Sequence, residues 1–141
     1  MKEVAQKVSV KNYSMCLRDA VEVFTKELIN CLFDKNYQEE KGAETKNKFF
    51  KILERLSINN EDCSWSAFEN SFPELRRKLD LDALFALNSD PAAKSLREVY
   101  LAYPGFYAIA VYRLSNQLLK QEIPVLPRMM SEFAHSITGT D

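Results

Sequence analysis

Glycine is scarce in this chain: Gly42, Gly105 and Gly139 are the three among 141 residues. A β-rich domain of this length needs many tight turns, and tight turns draw on glycine for positive φ. No GxGxxG and no phosphate loop can be built from three isolated glycines. Nor do apolar and polar residues alternate over any stretch long enough to make a sheet. Histidine is scarcer still, with His135 alone, and the cysteines are three: Cys16, Cys31 and Cys63. Their count is odd and no pair has the two-residue spacing of zinc or redox motifs, so no metal site is expected. Reduced thiols partly packed in helices fit better, which points to a reducing compartment. Charge of one sign is also missing. With 19 basic and 20 acidic side chains the net charge is −1. That leaves no broad field for nucleic acid or acidic lipid. No apolar run approaches the roughly 20 residues that span a bilayer. The opening MKEVAQKVSVKN has no secretory apolar core. The expectation is a cytoplasmic protein with neither a nucleic-acid nor a membrane partner.

What is present is helical periodicity. Leu17, Val21, Phe24, Leu28 and Leu32 fall in steps of three and four, one stripe of a helix from Tyr13 to about Phe33. Asn12 or Ser14 could cap its start. DKNYQEEKGAETK reads as a charged connector, followed by a helix from about Ala43 to Leu56 with Phe49, Ile52, Leu53 and Leu56 on one face. INNEDCS breaks it. Trp65, Phe68 and Phe72 suggest a short helix. Pro73 suits the first turn of the next, which carries Leu75, Leu79, Asp82 and Leu84 towards Leu87. Asp90-Pro91 reads as a cap and first-turn proline, with Leu96, Val99 and Tyr100 on one face behind it. Pro104 would cost a helix one hydrogen bond, so Tyr103-Pro104-Gly105 marks a break. Residues 105 to 120 form the most apolar stretch, with Phe106, Ile109, Ala110, Tyr112, Leu114 and Leu118, and should sit centrally. Pro124 and Pro127 bracket a turn before a last short helix, and ITGTD should end extended or in a turn. The expected fold is all-α, a bundle of about six to eight helices with no sheet, in a single domain over residues 1–141.

Two stretches carry more than periodicity. DPAAKSLREVYLAYPGFYAIAVYRLSNQLL, and then IPVLPRMMSEFAHSITGTD, together resemble the region just before the catalytic domain of serine O-acetyltransferases. In that family an Asp-Pro-Ala starts a helix. A Gly-Phe, an apolar stretch and a Tyr-Arg follow, here Gly105, Phe106, Tyr112 and Arg113. A segment ending in Asp-Ile-His-Pro then opens a left-handed parallel β-helix of hexapeptide repeats. The sequence in hand stops at Asp141 and has no glycines six apart, so the resemblance implies a helical N-terminal region without the β-helix. Residues 1–89 would be its variable part and residues 90–141 its family-like part.

The same resemblance assigns roles. Asp90 would contact the amino acid substrate, since a carboxylate accepts charge-assisted hydrogen bonds from the serine ammonium. Its plainer reading is a helix N-cap. Asp141 would be the carboxylate that orients a catalytic histidine lying outside this chain. Its plainer reading is a loop residue at an end. His135 is read as a helix-end residue rather than the base, and Arg113 as one half of an ion pair between helices. Tyr100, Tyr103, Phe106 and Tyr107 are read as core or interface aromatics, and Met129 and Met130 as gap-fillers. The chain itself would bind no cofactor; acetyl-CoA would be the co-substrate of the full-length enzyme. Self-association of the helical regions, pairing trimers into a hexamer, is the implied partnership. The next enzyme of the cysteine pathway would bind only through a C-terminal tail that residues 1–141 do not include. The alternative is a stand-alone helical protein-interaction module.

Overall fold

A computed structural model describes residues 15–59 and 62–139. Among the described residues there are seven helices and no strand: α1 Met15–Phe33, α2 Lys35–Arg55, α3 Asp62–Asn70, α4 Phe72–Ser89, α5 Leu96–Ala102, α6 Pro104–Lys120 and α7 Leu126–Thr138. The all-α expectation holds within its helix count. The cap readings at Asn12 and Ser14 lie outside the described residues. No described helix is long and apolar enough to cross a membrane.

The stripe of α1 is buried in full, with Leu17, Val21, Phe24, Leu28 and Leu32 inside. Burying each of these side chains is worth roughly 1.5–3 kcal/mol before the entropy of ordering is subtracted. Thr25 is carried inside with them, and its hydroxyl is satisfied by donating to the Val21 carbonyl at 2.7 Å. The C-terminal carbonyls of α1 are met by a side chain far along the sequence. Arg76 on α4 donates from Nε to the Leu32 carbonyl and from Nη2 to the Cys31 carbonyl at 3.5 Å and to Gln38 Oε1 at 3.0 Å. A cation at the negative end of a helix dipole satisfies orphan carbonyls and charge together.

The charged connector expected at 34–46 is helix instead. Asp34 accepts from the Tyr37 amide at 3.1 Å and caps α2, so the helix starts at Lys35 rather than near Ala43. Gly42 lies inside it, at a cost of about 1 kcal/mol relative to alanine. Packing outweighs that cost. Thr45, Phe49, Ile52 and Leu53 are buried against α1 at helical spacing, and Thr45 donates to the Lys41 carbonyl at 3.1 Å. Phe49 lies at the centre of an aromatic cluster. Its ring centroid is 6.0 Å from Phe24, 5.2 Å from Trp65 and 6.4 Å from Phe68, and Phe68 in turn meets Phe72 at 5.3 Å.

Helix α6 packs against α1, α4, α5 and α7, the central position expected of it. Phe106, Ala110, Val111, Leu114 and Leu118 are buried, whereas Ile109 and Tyr112 face outward, as does Leu84 on α4. Arg113 braces α6 to α4 through a two-pronged ion pair with Asp82, at 2.6 and 2.9 Å. Two helix ends adopt the left-handed conformation without glycine. Ser57 (φ 58°) follows α2 and Glu122 (φ 63°) follows α6. In both, the amide after the left-handed residue reaches back to a carbonyl five residues earlier, Ile58 to Leu53 at 2.9 Å and Ile123 to Leu118 at 3.1 Å. Between Pro124 and Pro127, Val125 has φ 68° and ψ −54° while the Leu126 amide bonds the Pro124 carbonyl at 2.7 Å. That is a tight three-residue turn, strained for a β-branched residue. Helix α7 runs through Ile137 to Thr138, longer than the expected ITGTD tail allowed, and closes on Gly139 at φ 70°.

Candidate functional site

Asp90 stands where α4 gives out. The residue before a proline is pushed to extended backbone, and Asp90 has φ −109° and ψ 111° ahead of Pro91. It ends α4, its amide bonding the Ala86 carbonyl at 3.1 Å, and it does not begin α5. The expected N-cap role at Asp90 is therefore wrong. The cap of α5 is Ser95, whose hydroxyl accepts from the Glu98 amide at 3.1 Å. The signal for this was in the sequence: Ser95-Leu96-Arg97-Glu98 has the Ser-x-x-Glu spacing of a capping box.

Freed from capping a helix, the Asp90 carboxylate organises the turn from 90 to 93. Oδ1 accepts from the Ala92 amide at 2.9 Å, and the Ala93 amide closes onto the Asp90 carbonyl at 3.0 Å. Oδ2 accepts from the Tyr103 hydroxyl at 2.8 Å. The side chain is half-buried. The Ala92 amide and, after it, the Tyr103 hydroxyl hold its carboxyl below the ordinary aspartate range, because both stabilise the charged form. Its partner responds in the opposite sense: the bond to Asp90 pushes the Tyr103 phenol up to about 12. At neutral pH the pair is a carboxylate and a neutral phenol. Such a carboxylate is a poor proton acceptor and a good binder of cationic or hydroxylic groups. Two of roughly four acceptor directions are used within the chain, which leaves the others for a ligand.

A second phenol–carboxylate pair lies nearby in sequence. Tyr100 donates to Asp80 on α4, and its ring meets Phe106 at 4.7 Å and Phe33 at 5.3 Å. Burial, together with this bond, raises its pKa. The aromatic reading holds for Phe106, which is buried, and for Tyr100, Tyr103 and Tyr107, which are half-buried against the core. It missed the polar end of Tyr103, which no spacing in the sequence announces. Arg113 forms the expected inter-helix pair, with Asp82. His135 is exposed on the last turn of α7. Met130 is buried and Met129 half-buried. Asp141 lies outside the described residues.

Comparison with known proteins gives one consistent likeness. The chain is 43% identical over 75 residues to a plasmid-borne serine acetyltransferase of Synechococcus elongatus, covering 53% of this chain and 24% of that protein. It is 42% identical over 55 residues to a serine acetyltransferase of Helicobacter pylori, covering 39% of this chain and 32% of the relative. A serine acetyltransferase of Bacillus subtilis is 38% identical over 64 residues, 45% of this chain and 29% of the relative. The first of these matches is longer than the stretch from Asp90 to Asp141, so the likeness reaches into the part expected to be variable. The chain thus spans about a quarter to a third of the curated relatives it matches. No family model matches it. Over about half its length, the chain resembles serine acetyltransferases.

Proposed function

We propose that this chain is the helical N-terminal region of a serine O-acetyltransferase, the enzyme that moves acetyl from acetyl-CoA to L-serine and yields O-acetylserine and CoA for cysteine biosynthesis. The observation that carries the reading is Asp90: an ionised, half-exposed carboxylate on a turn, with acceptor capacity left over. The likeness to serine acetyltransferases supports it.

In this reading Asp90 holds the serine ammonium while the hydroxyl attacks the thioester carbonyl. A hydroxyl is a poor nucleophile, so a base takes its proton as the carbon–oxygen bond forms; the tetrahedral intermediate then expels the CoA thiol. The base is a histidine outside this chain, and Asp141 is the carboxylate that fixes its tautomer. The low pKa of Asp90 suits binding and disqualifies it as the base. Residues 1–141 by themselves are therefore inactive, because absence of the base alone removes roughly 10²–10⁴-fold. Acetyl-CoA is a co-substrate held elsewhere, and the chain holds no cofactor. The protein is cytoplasmic.

The helices also serve assembly. Leu81, Leu84 and Phe85 are exposed at helical spacing on α4, Phe85 by 74%, and Leu101 on the adjoining α5 by 76%. Apolar side chains grouped this way suit burial against another copy of the helical region. The next enzyme of the cysteine pathway binds through a C-terminal tail and not through these helices, so calorimetry with residues 1–141 should show no heat of binding. A stand-alone interaction module draws on the same exposed side chains. A thiol-release assay separates the two. Turnover from the protein carrying this chain, with Asp90→Asn raising the KM for serine and not for acetyl-CoA, supports the enzyme. No turnover, with a coding sequence that stops after Asp141, would establish the module.

A further inference from the structure

Asp90 has two hydrogen-bond donors, and they differ in what they are attached to. The Ala92 amide belongs to the same turn, two residues on, so that bond moves with the turn. The Tyr103 hydroxyl comes from thirteen residues away, across the whole of α5. Its ring packs against the hydrophobic core. Its backbone is held on both sides, the amide bonding Val99 at 3.4 Å and the carbonyl accepting from Phe106 at 3.1 Å and Tyr107 at 3.3 Å. The last torsion of an aspartate side chain is broad and two-fold, so one hydrogen bond leaves the carboxylate plane loosely set. Two bonds to different oxygens, one local and one anchored in the bundle, set both the plane and its place relative to the helices.

We propose that Tyr103 is the positioning residue of the serine site: its hydroxyl fixes the Asp90 carboxylate against the helical core, so that the unused acceptor positions are presented to the substrate ammonium before it arrives. This rests on the reading of Asp90 as the serine-binding carboxylate. A group set in place beforehand loses less freedom on binding, so the benefit falls on serine affinity. Tyr103 does not touch the reacting atoms and leaves acetyl-CoA alone. Its neutral phenol also keeps Asp90 ionised, in the same direction as the Ala92 amide.

The test is a set of three substitutions in the acetyltransferase that carries this chain. Tyr103→Phe keeps the core-packed ring and removes only the hydroxyl. It should raise the KM for serine about tenfold, with kcat changed less than about twofold and the KM for acetyl-CoA unmoved. Tyr100→Phe, which deletes the equivalent bond to Asp80, should leave all three unchanged. Asp90→Asn tests the underlying reading: if it leaves the KM for serine untouched, Asp90 does not bind serine. If Asp90→Asn raises that KM and Tyr103→Phe does not, the serine site stands and the positioning role is overturned. The chain of residues 1–141 allows an independent measurement. Carboxyl-carbon NMR should show Asp90 titrating below an ordinary aspartate, and Tyr103→Phe should shift its midpoint upward. An unmoved Asp90 titration in that variant would overturn the proposal with no enzyme assay at all.

Discussion

The stretch from α1 to α4 and the stretch from Asp90 onward solve different problems with similar residues. In the first, aromatics face one another inside: Phe24, Phe49, Trp65, Phe68 and Phe72 are all buried. Polar side chains taken in with them, Thr25 and Thr45, are satisfied locally by carbonyls four residues back. In the second, two tyrosines are turned so that their rings lie on the core while their hydroxyls reach out to carboxylates, Tyr100 to Asp80 and Tyr103 to Asp90. Both regions build the core, and the second also presents charge at the surface, at Asp90. Damage should therefore register as unfolding at the buried rings and as altered recognition at the Tyr103–Asp90 pair.

The largest break in that contrast should come from Phe49→Ala. Phe49 is fully buried and meets four other rings. The substitution should cost about 3–5 kcal/mol, read as a lower urea midpoint or a lower Tm. Arg76→Met should come next, at about 2 kcal/mol. It keeps much of the stem and leaves the Cys31 and Leu32 carbonyls at the end of α1 without their cation. Both variants should unfold more easily and, while folded, leave the Asp90 titration where it was. A shifted Asp90 midpoint in folded Phe49→Ala would show that the two regions are not separable.

A gain should follow at the end of α6. Glu122 occupies a left-handed position that glycine adopts without strain, so Glu122→Gly should stabilise the chain by about 1 kcal/mol in urea titration. The smallest effect concerns pH. Asp90 is depressed in the folded chain, so its contribution is present above the ordinary aspartate pKa and is lost as pH falls through its folded value. Tyr103 is raised from 10.0 to about 12, so its contribution is present below pH 10 and disappears as pH climbs through about 12. Tyr103→Phe should reduce both the alkaline arm, to which Tyr100 and Tyr107 also contribute, and the acid one in a stability–pH profile. An unchanged alkaline arm would mean that the Tyr103–Asp90 bond is not formed in solution.

Much of this molecule could be read without coordinates, because helical periodicity is a local property. The stripe from Leu17 to Leu32, the breaks at Pro73 and Pro104 and the central place of α6 all follow from spacing, apolar content and missing amide hydrogens, though not the outward turn of Ile109 and Tyr112. The helical stretch over 35–42 did not, because a polar surface with a glycine in it looks like a loop until Phe49 and Ile52 bury the turns that follow. The ends of the second and sixth helices were legible, near Leu56 and residue 120, but not that Ser57 and Glu122 close them in a conformation that glycine usually signals. Asp90 could be singled out from the residues around it, but not the company it keeps. Hydrogen bonds between residues thirteen, thirty-one or forty-four positions apart, at Tyr103, Arg113 and Arg76, depend on how whole helices are laid against one another. Local patterns along the chain specify helices and their inward faces. The pairing of a phenol with a carboxylate is settled by packing, since no short-range rule relates residues that become neighbours only when the bundle closes.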